Sequence, residues 1–191
     1  MKQLVIFCHP SMESFCNALA ERYCAGAQDA GNDIRRINIG EIAFDPVLRQ
    51  GYAHDQPLES DLVMAQETIL WADHLVFVYP TWWAAPPAVL KAFIERVFLP
   101  GFAFKYKESR KIVAWDKLLQ NKSARVISTM DSPPLYYKMI IGDPGYKMMK
   151  DIMNFCGIRP VAQTYVGSVK LSSPAKRQDW LEGMYRIGSR S

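Results

Sequence analysis

Long apolar runs are what this 191-residue chain most plainly lacks. No stretch approaches the roughly 18 uninterrupted apolar residues that a membrane span requires, so membrane insertion is not expected. The opening run from Gln3 to Cys8 is short, and Pro10 and Glu13 follow it too closely for a secretory signal. The expected location is therefore the cytoplasm. Cysteine is sparse, at four residues (Cys8, Cys16, Cys24 and Cys156), with no C-x-x-C pair and no zinc-type spacing. Reduced thiols packed inside the fold are the reading that follows. The nucleotide fingerprints G-x-x-x-x-G-K-[ST] and G-x-G-x-x-G are absent, which argues against a P-loop ATPase and a Rossmann dehydrogenase. Lysine and arginine are scattered and the net charge is only +4, so nucleic acid is not an expected partner. An anionic small molecule suits that mild positive balance better. No internal repeat, low-complexity tract or linker divides the chain, and 1–191 reads as a single domain.

What is present alternates between strand and helix. Residues 3–8 form an apolar run suited to a strand buried on both faces. Ser14 is placed to cap a helix through about residue 30, with Gly31 as its stop. Residues 33–39 partly alternate, as in a strand near a sheet edge. Residues 40–60 read as loop, broken by Pro46, Gly51 and Pro57. Residues 61–72 carry Leu62, Ala65, Ile69 and Trp71 at helical spacing. His74 to Tyr79 form a third strand that Pro80 ends. Pro86 and Pro87 suit a helix start, and Val89, Leu90, Phe93, Ile94 and Val97 supply its buried face up to Pro100-Gly101. An excursion over 101–121 precedes a strand at 123–129, a helix at 146–156, a strand at 161–166 and a last helix opened by Pro174. The fold expected from this order is α/β: a three-layer, doubly wound parallel sheet of five strands, order 2-1-3-4-5. Such sheets bind ligands beyond the carboxyl ends of their strands.

Three segments converge there. In His9-Pro10-Ser11-Met12-Glu13-Ser14-Phe15-Cys16, a helix start offers free N–H donors to a phosphate, with Ser14 and His9 adding donors. Capping by Ser14 and strand termination by His9 would account for them equally well. In Tyr79-Pro80-Thr81-Trp82-Trp83, two adjacent indoles at a strand end cannot both enter one core. At least one should line the crevice and meet a flat ring, unless both pack beneath the loop. In Thr129-Met130-Asp131-Ser132-Pro133-Pro134-Leu135-Tyr136-Tyr137, a polar turn could present backbone N–H groups, or simply connect two elements over buried tyrosines.

Together these residues resemble the flavodoxin-fold NAD(P)H quinone reductases, the DT-diaphorase family and its bacterial members. The stretch from Tyr79 through Phe98, closing with Gly101-Phe102-Ala103-Phe104, is the most specific part. His9…Ser14-Phe15, Phe44-Asp45-Pro46, Leu118-Leu119-Gln120 and Phe155-Cys156-Gly157 match in the same order. The resemblance implies a flavin, with His9, Ser14, Phe15 and Cys16 at its ribityl-phosphate end. Pro80, Thr81, Trp82 and Trp83 would lie against the isoalloxazine, and Ser128, Thr129, Met130 and Asp131 at its other edge. It also implies NAD(P)H as hydride donor, a quinone-like acceptor, a ping-pong sequence and a homodimer.

Two departures stand out. The family's Thr-Thr-Gly-Gly turn is here Ser128-Thr129-Met130-Asp131, so the backbone approach to the flavin must differ. The family's tyrosine–histidine pair is incomplete: Tyr136 or Tyr137 can stand in for the tyrosine, but no histidine follows His74. The stretch from Pro46 to Leu62 looks shorter than in the FAD-binding animal enzymes, which favours FMN over FAD. The same fold also serves flavodoxin-type electron carriers and flavin-containing regulatory subunits of potassium efflux systems, the two alternative readings.

Overall fold

The computed structural model describes residues 1–52, 54–107 and 113–191. Residue 53 of the 40–60 loop and residues 108–112 of the 101–121 excursion lie outside the described residues. The main sheet contains β1 (Lys2–Phe7), β2 (Asp33–Asn38), β3 (His74–Pro80), β6 (Ser123–Thr129) and β7 (Val161–Val166), in the order β2-β1-β3-β6-β7. All four pairings are parallel. This is the expected 2-1-3-4-5 doubly wound arrangement. The chain adds β2 on one side of β1 and β3 on the other, so the winding direction reverses between β1 and β3. A crevice opens at that point, because the connections leaving the two strands diverge to opposite faces.

Every residue of β3 is buried, and β1 is buried after Lys2. Such strands read as continuous apolar runs because both faces are covered. On one face, Leu4, Ile6, Leu75 and Phe77 pack beneath α2 (Ser60–Trp71), α3 (Ala88–Val97) and α5 (Pro144–Cys156). On the other, Val5, Phe7, Val76, Val78 and Ile127 pack beneath α1 (Phe15–Asp29) and α6 (Pro174–Gly188). Each buried side chain of this size contributes roughly 1.5–3 kcal/mol. β2 lies at the sheet edge, which explains its incomplete alternation.

Several local expectations need adjusting. Val89 is exposed, and the buried face of α3 is Leu90, Phe93, Ile94, Arg96 and Val97. Arg96 is fully buried: its guanidinium donates to the carbonyls of Asp45 (2.6 Å) and Pro57 (2.9 Å) and pairs with Glu59 at 2.9 Å. Glu59 in turn accepts from the Asp45 N–H. One charged side chain thus ties down a loop with little apolar residue to bury. The excursion after α3 contains a small antiparallel ribbon, β4 (Phe104–Tyr106) with β5 (Trp115–Lys117), anchored by Trp115 stacking on Phe155. α5 begins at Pro144 rather than Tyr146, since proline needs no N–H partner in a first turn. Before it, a short α4 (Pro134–Tyr136) runs into a π-helical turn over Tyr137–Ile141. Cys8, Cys16 and Cys156 are buried thiols, each pushed up to about 12 by burial.

α1 and α6 meet backbone to backbone. A Cβ on Gly26 would lie 2.0 Å from the Tyr185 carbonyl oxygen, and one on Gly188 2.1 Å from that of Tyr23. Gly183, also in α6, has nothing within 4 Å of its Cβ direction. Gly26→Ala should therefore destabilise the protein by about 1–3 kcal/mol through overpacking. Gly183→Ala should stabilise it by up to about 1 kcal/mol through helix propensity. Urea unfolding of the two variants checks both signs, and like signs would contradict this packing.

Candidate active site

Strands β1, β3 and β6 are neighbours, so the segments leaving their carboxyl ends are brought side by side. After β1, Ser14 caps α1 by accepting from the Asn17 N–H at 3.2 Å. The N–H groups of Phe15 and Cys16, also in the first turn, have no intrahelical acceptor and point out of the helix start. The Cys16 thiol is buried in the core, and the Phe15 ring packs on Trp180 of α6. These two residues therefore offer backbone rather than side chain.

His9 Nδ1 lies 2.9 Å from the Ser11 nitrogen and 3.0 Å from its carbonyl oxygen. The Ser11 peptide occupies that side of the ring in either tautomer and leaves Nε2 for the crevice. With the Ser11 N–H donating to Nδ1, the proton resides on Nε2, the form a neighbouring anion would select. His9 stacks on Phe7, and its ring centroid lies 6.0 Å from that of Trp82. The β1 and β3 segments thus meet across the switch point. This group of N–H donors at a helix start fits a phosphate.

After β3, Pro80 is buried as the last strand residue, and the Thr81 N–H donates to the Thr129 carbonyl at 2.7 Å. The chain then makes a two-residue reversal. Trp82 and Ala85 exchange both backbone hydrogen bonds, at 2.9 and 3.0 Å, while Trp83 and Ala84 adopt φ of 51° and 61°. Two consecutive left-handed residues define a type I′ turn, normally the province of asparagine and glycine. A tryptophan and an alanine in this region cost about 1–2 kcal/mol each. Trp82 is half-exposed beside His9, and Trp83 at the tip is fully exposed (101 %). Neither indole joins the core, in keeping with the expectation that the two could not both enter it.

What holds this turn was not foreseen. The Tyr137 hydroxyl donates to the Ala84 carbonyl at 2.8 Å and accepts from the Gly145 N–H at 3.1 Å. A Cβ on Gly145 would fall 2.8 Å from that hydroxyl, so α5 can approach only with glycine there. Tyr137 is 4 % exposed, whereas Tyr136 is 49 % exposed. The adjacent tyrosines thus take different situations, one inside the scaffold and one at the surface. Burial raises the Tyr137 pKa, which keeps its hydroxyl a neutral donor. Asp143, buried at the start of α5, pushes the Tyr165 pKa up as a neighbouring negative charge, after burial.

After β6, Ser128 and Thr129 are buried strand residues. Met130 is also buried, its N–H bonded to Val166 and its carbonyl to Val169. Asp131 is exposed and accepts from the Lys170 N–H at 3.1 Å. A Cβ on Gly167 would meet Pro134 at 2.4 Å and the Ser132 carbonyl at 2.7 Å. Close packing of the segment after β7 against the turn that follows β6 thus depends on Gly167.

With fold and crevice in view, the chain is a member of the flavodoxin-like fold family, whose model it matches over residues 1–186. It is 30% identical over 188 residues to an uncharacterized NAD(P)H oxidoreductase of Haemophilus influenzae, covering 95% of this chain and 91% of that protein. It is 28% identical to NAD(P)H dehydrogenase [quinone] 1 of Cavia porcellus, over 95% of this chain and 74% of that one. Among solved structures, a Streptococcus mutans protein matches with a TM-score of 0.86 at 30% identity, over the whole of both chains. An FMN-dependent NADH-azoreductase of Bacillus anthracis, solved with FMN, shares the fold at 19% identity with a TM-score of 0.76, covering 99% of this chain and 98% of that one.

If Tyr137 is what holds the Trp82–Ala85 turn, Tyr137→Phe should cost about 1–3 kcal/mol, because the Ala84 carbonyl and Gly145 N–H lose their partner. Thermal unfolding measures the loss. Trp82 and Trp83 fluorescence should change in the folded variant, and a spectrum and stability equal to the parent's would refute the role.

Proposed function

We propose that this chain is an NAD(P)H-dependent flavin oxidoreductase passing two electrons to a quinone or similar acceptor. The observation that carries the reading is the pairing of an N–H-lined helix start with two exposed indoles at the reversal point of the sheet. The first suits a phosphate and the second a flat heteroaromatic ring. The names borne by the Haemophilus and Cavia relatives support the same class of reaction.

In this reading 1–191 acts as one flavin-binding domain. His9 Nε2, Ser14 and the amides of Phe15 and Cys16 hold the phosphate end of the cofactor. Pro80, Thr81, Trp82 and Trp83 border its ring, with Ser128, Thr129, Met130 and Asp131 along the opposite edge. FMN suits the short 46–62 stretch better than FAD. When bound, the flavin supplies the capacity to accept a hydride and release two electrons. The protein's part is orientation: Trp82 and Trp83 form an apolar wall, and the Tyr137 hydroxyl fixes the turn that carries them. Of the two tyrosines, Tyr136 has the exposed hydroxyl that can meet an acceptor or return a proton, while Tyr137 positions. NAD(P)H and the acceptor occupy the same exposed face in turn, which makes the kinetics ping-pong.

Beside the crevice, Leu135, Met139 and Ile140 are exposed (72 %, 68 % and 70 %) on one short segment. An apolar surface of this kind supports a homodimer with the site near its interface. Among the described residues no helix is long and apolar enough to cross a membrane; the cytoplasm is the setting proposed.

The purified protein should show a flavin absorbance spectrum, and heat-released cofactor should chromatograph as FMN. Anaerobic mixing with NADH or NADPH should bleach that absorbance before any acceptor is added. A colourless protein that takes up no added flavin, or a flavin that neither nucleotide bleaches, would overturn the proposal. Ser14→Ala should weaken FMN retention roughly tenfold, with about 1 kcal/mol lost from capping.

A further inference from the structure

A second polar site lies at the other end of the sheet. On the face covered by α1 and α6, the apolar rows built from Val5, Val76 and Ile127 give way toward the amino ends of the strands to Gln3, His74, Ser123 and Arg125. The parallel register sets Gln3 beside His74 and His74 beside Ser123, with Arg125 two residues further along β6. Each polar group is only partly satisfied. Gln3 Oε1 accepts from the Tyr23 hydroxyl at 2.8 Å, His74 Nδ1 lies 2.7 Å from Ser123 Oγ, and Arg125 Nη1 donates to Thr164 Oγ1 at 3.0 Å. Gln3 Nε2, His74 Nε2 and Arg125 Nε are buried without a partner.

Two of these three atoms are obligate donors, and the imidazole nitrogen can be one. Beside them opens a cavity of about 310 Å³, lined by His74, Ser123, Arg125 and the exposed Arg190. Pro160 and Ile187 add carbon surface; no Asp or Glu side chain lines the space, but Met1 and Ser191, the first and last residues, do, and bring an ammonium and a carboxylate. Two guanidinium groups and the Met1 ammonium, set against the single Ser191 carboxylate, leave the recess electropositive, and its volume is at the low end for small-molecule sites. A dinucleotide is too large for it. Burial, and secondarily Arg125, hold the His74 pKa down to about 4, so the imidazole is neutral near pH 7.

We propose that this amino-edge cavity binds a small oxyanion, a carboxylate or phosphate on a compact carbon skeleton. The Arg125 and Arg190 guanidinium groups meet its charge and His74 Nε2 donates to it. β3 separates this cavity from the crevice by about 20 Å of extended chain, so the two sites can be filled independently. The bound anion would offset Arg125 and raise the His74 pKa, which gives the site a signature of its own.

The test is titration of the FMN-saturated protein with inorganic phosphate and with succinate, against sodium chloride at matched ionic strength. Melting temperature and the His74 imidazole NMR signal are followed. A saturable rise in melting temperature beyond that of chloride, with an upward move of the His74 pKa, is expected from at least one oxyanion; which one saturates identifies phosphate or carboxylate. Arg190→Ala, at the exposed rim, should weaken the effect at least about tenfold and leave flavin content unchanged. Ser14→Ala, at the opposite end, should leave it intact. No effect beyond chloride, an equal effect in Arg190→Ala, or an effect lost only in Ser14→Ala would overturn the proposal. Arg125→Met, where it folds, should abolish both signals.

Discussion

Burial of β3 on both faces is the constraint from which the rest of the molecule follows. A strand with no polar residue between Leu75 and Val78 can exist only beneath two layers of helix. Its neighbours must then be parallel, because the connections that supply those helices cross over the faces. The direction reversal beside β1 is a consequence of that winding. So is the crevice at the carboxyl ends, where three loops have to end near one another.

Packing alone would leave those loops free to settle in ordinary conformations, and they do not. The turn at Trp83 and Ala84 occupies backbone space that neither residue favours. It is held there by its own paired hydrogen bonds, by Thr81 bonded to Thr129, and by the Tyr137 hydroxyl on Ala84. Strain retained at a site under that much external restraint keeps an indole in solvent, where it would not otherwise stay. Gly145 serves the same end by admitting α5 to van der Waals distance of Tyr137 and Ala84, while Gly167 lets the segment after β7 close on Ser132 and Pro134.

Charge is handled differently at different depths. Arg96 is buried with both terminal nitrogens held by a carboxylate and carbonyls and only Nε left without a partner, so most of its desolvation is answered within the protein and the 45–59 loop is secured. At the start of α1 and at the amino edge of the sheet, donors outnumber acceptors. Both ends of the sheet are therefore candidates for an anion, one beside aromatic surface and the other beside aliphatic surface.

The chain order and the sheet order were legible in the sequence because strand and helix each impose a period, and buried parallel strands leave unbroken apolar runs such as Leu75–Val78. The crevice segments were legible for a related reason: strand ends are where such sheets place ligands, whatever occupies them. Residues whose meaning depends on a distant partner were not. Nothing local separates Tyr136 from Tyr137, and only the carbonyl of Ala84, 53 positions away, assigns the second to the scaffold. Arg96 looks like any charge on an amphipathic helix until the 45–59 loop closes over it. The polar row of Gln3, His74, Ser123 and Arg125 is scattered over 122 positions and becomes a cluster only through register. Local chemistry and periodicity, which act between near neighbours, thus determined fold class and the place of the candidate site. Tertiary contact, which joins residues that chain entropy keeps apart until folding, decided which side chains are free to act and which are held.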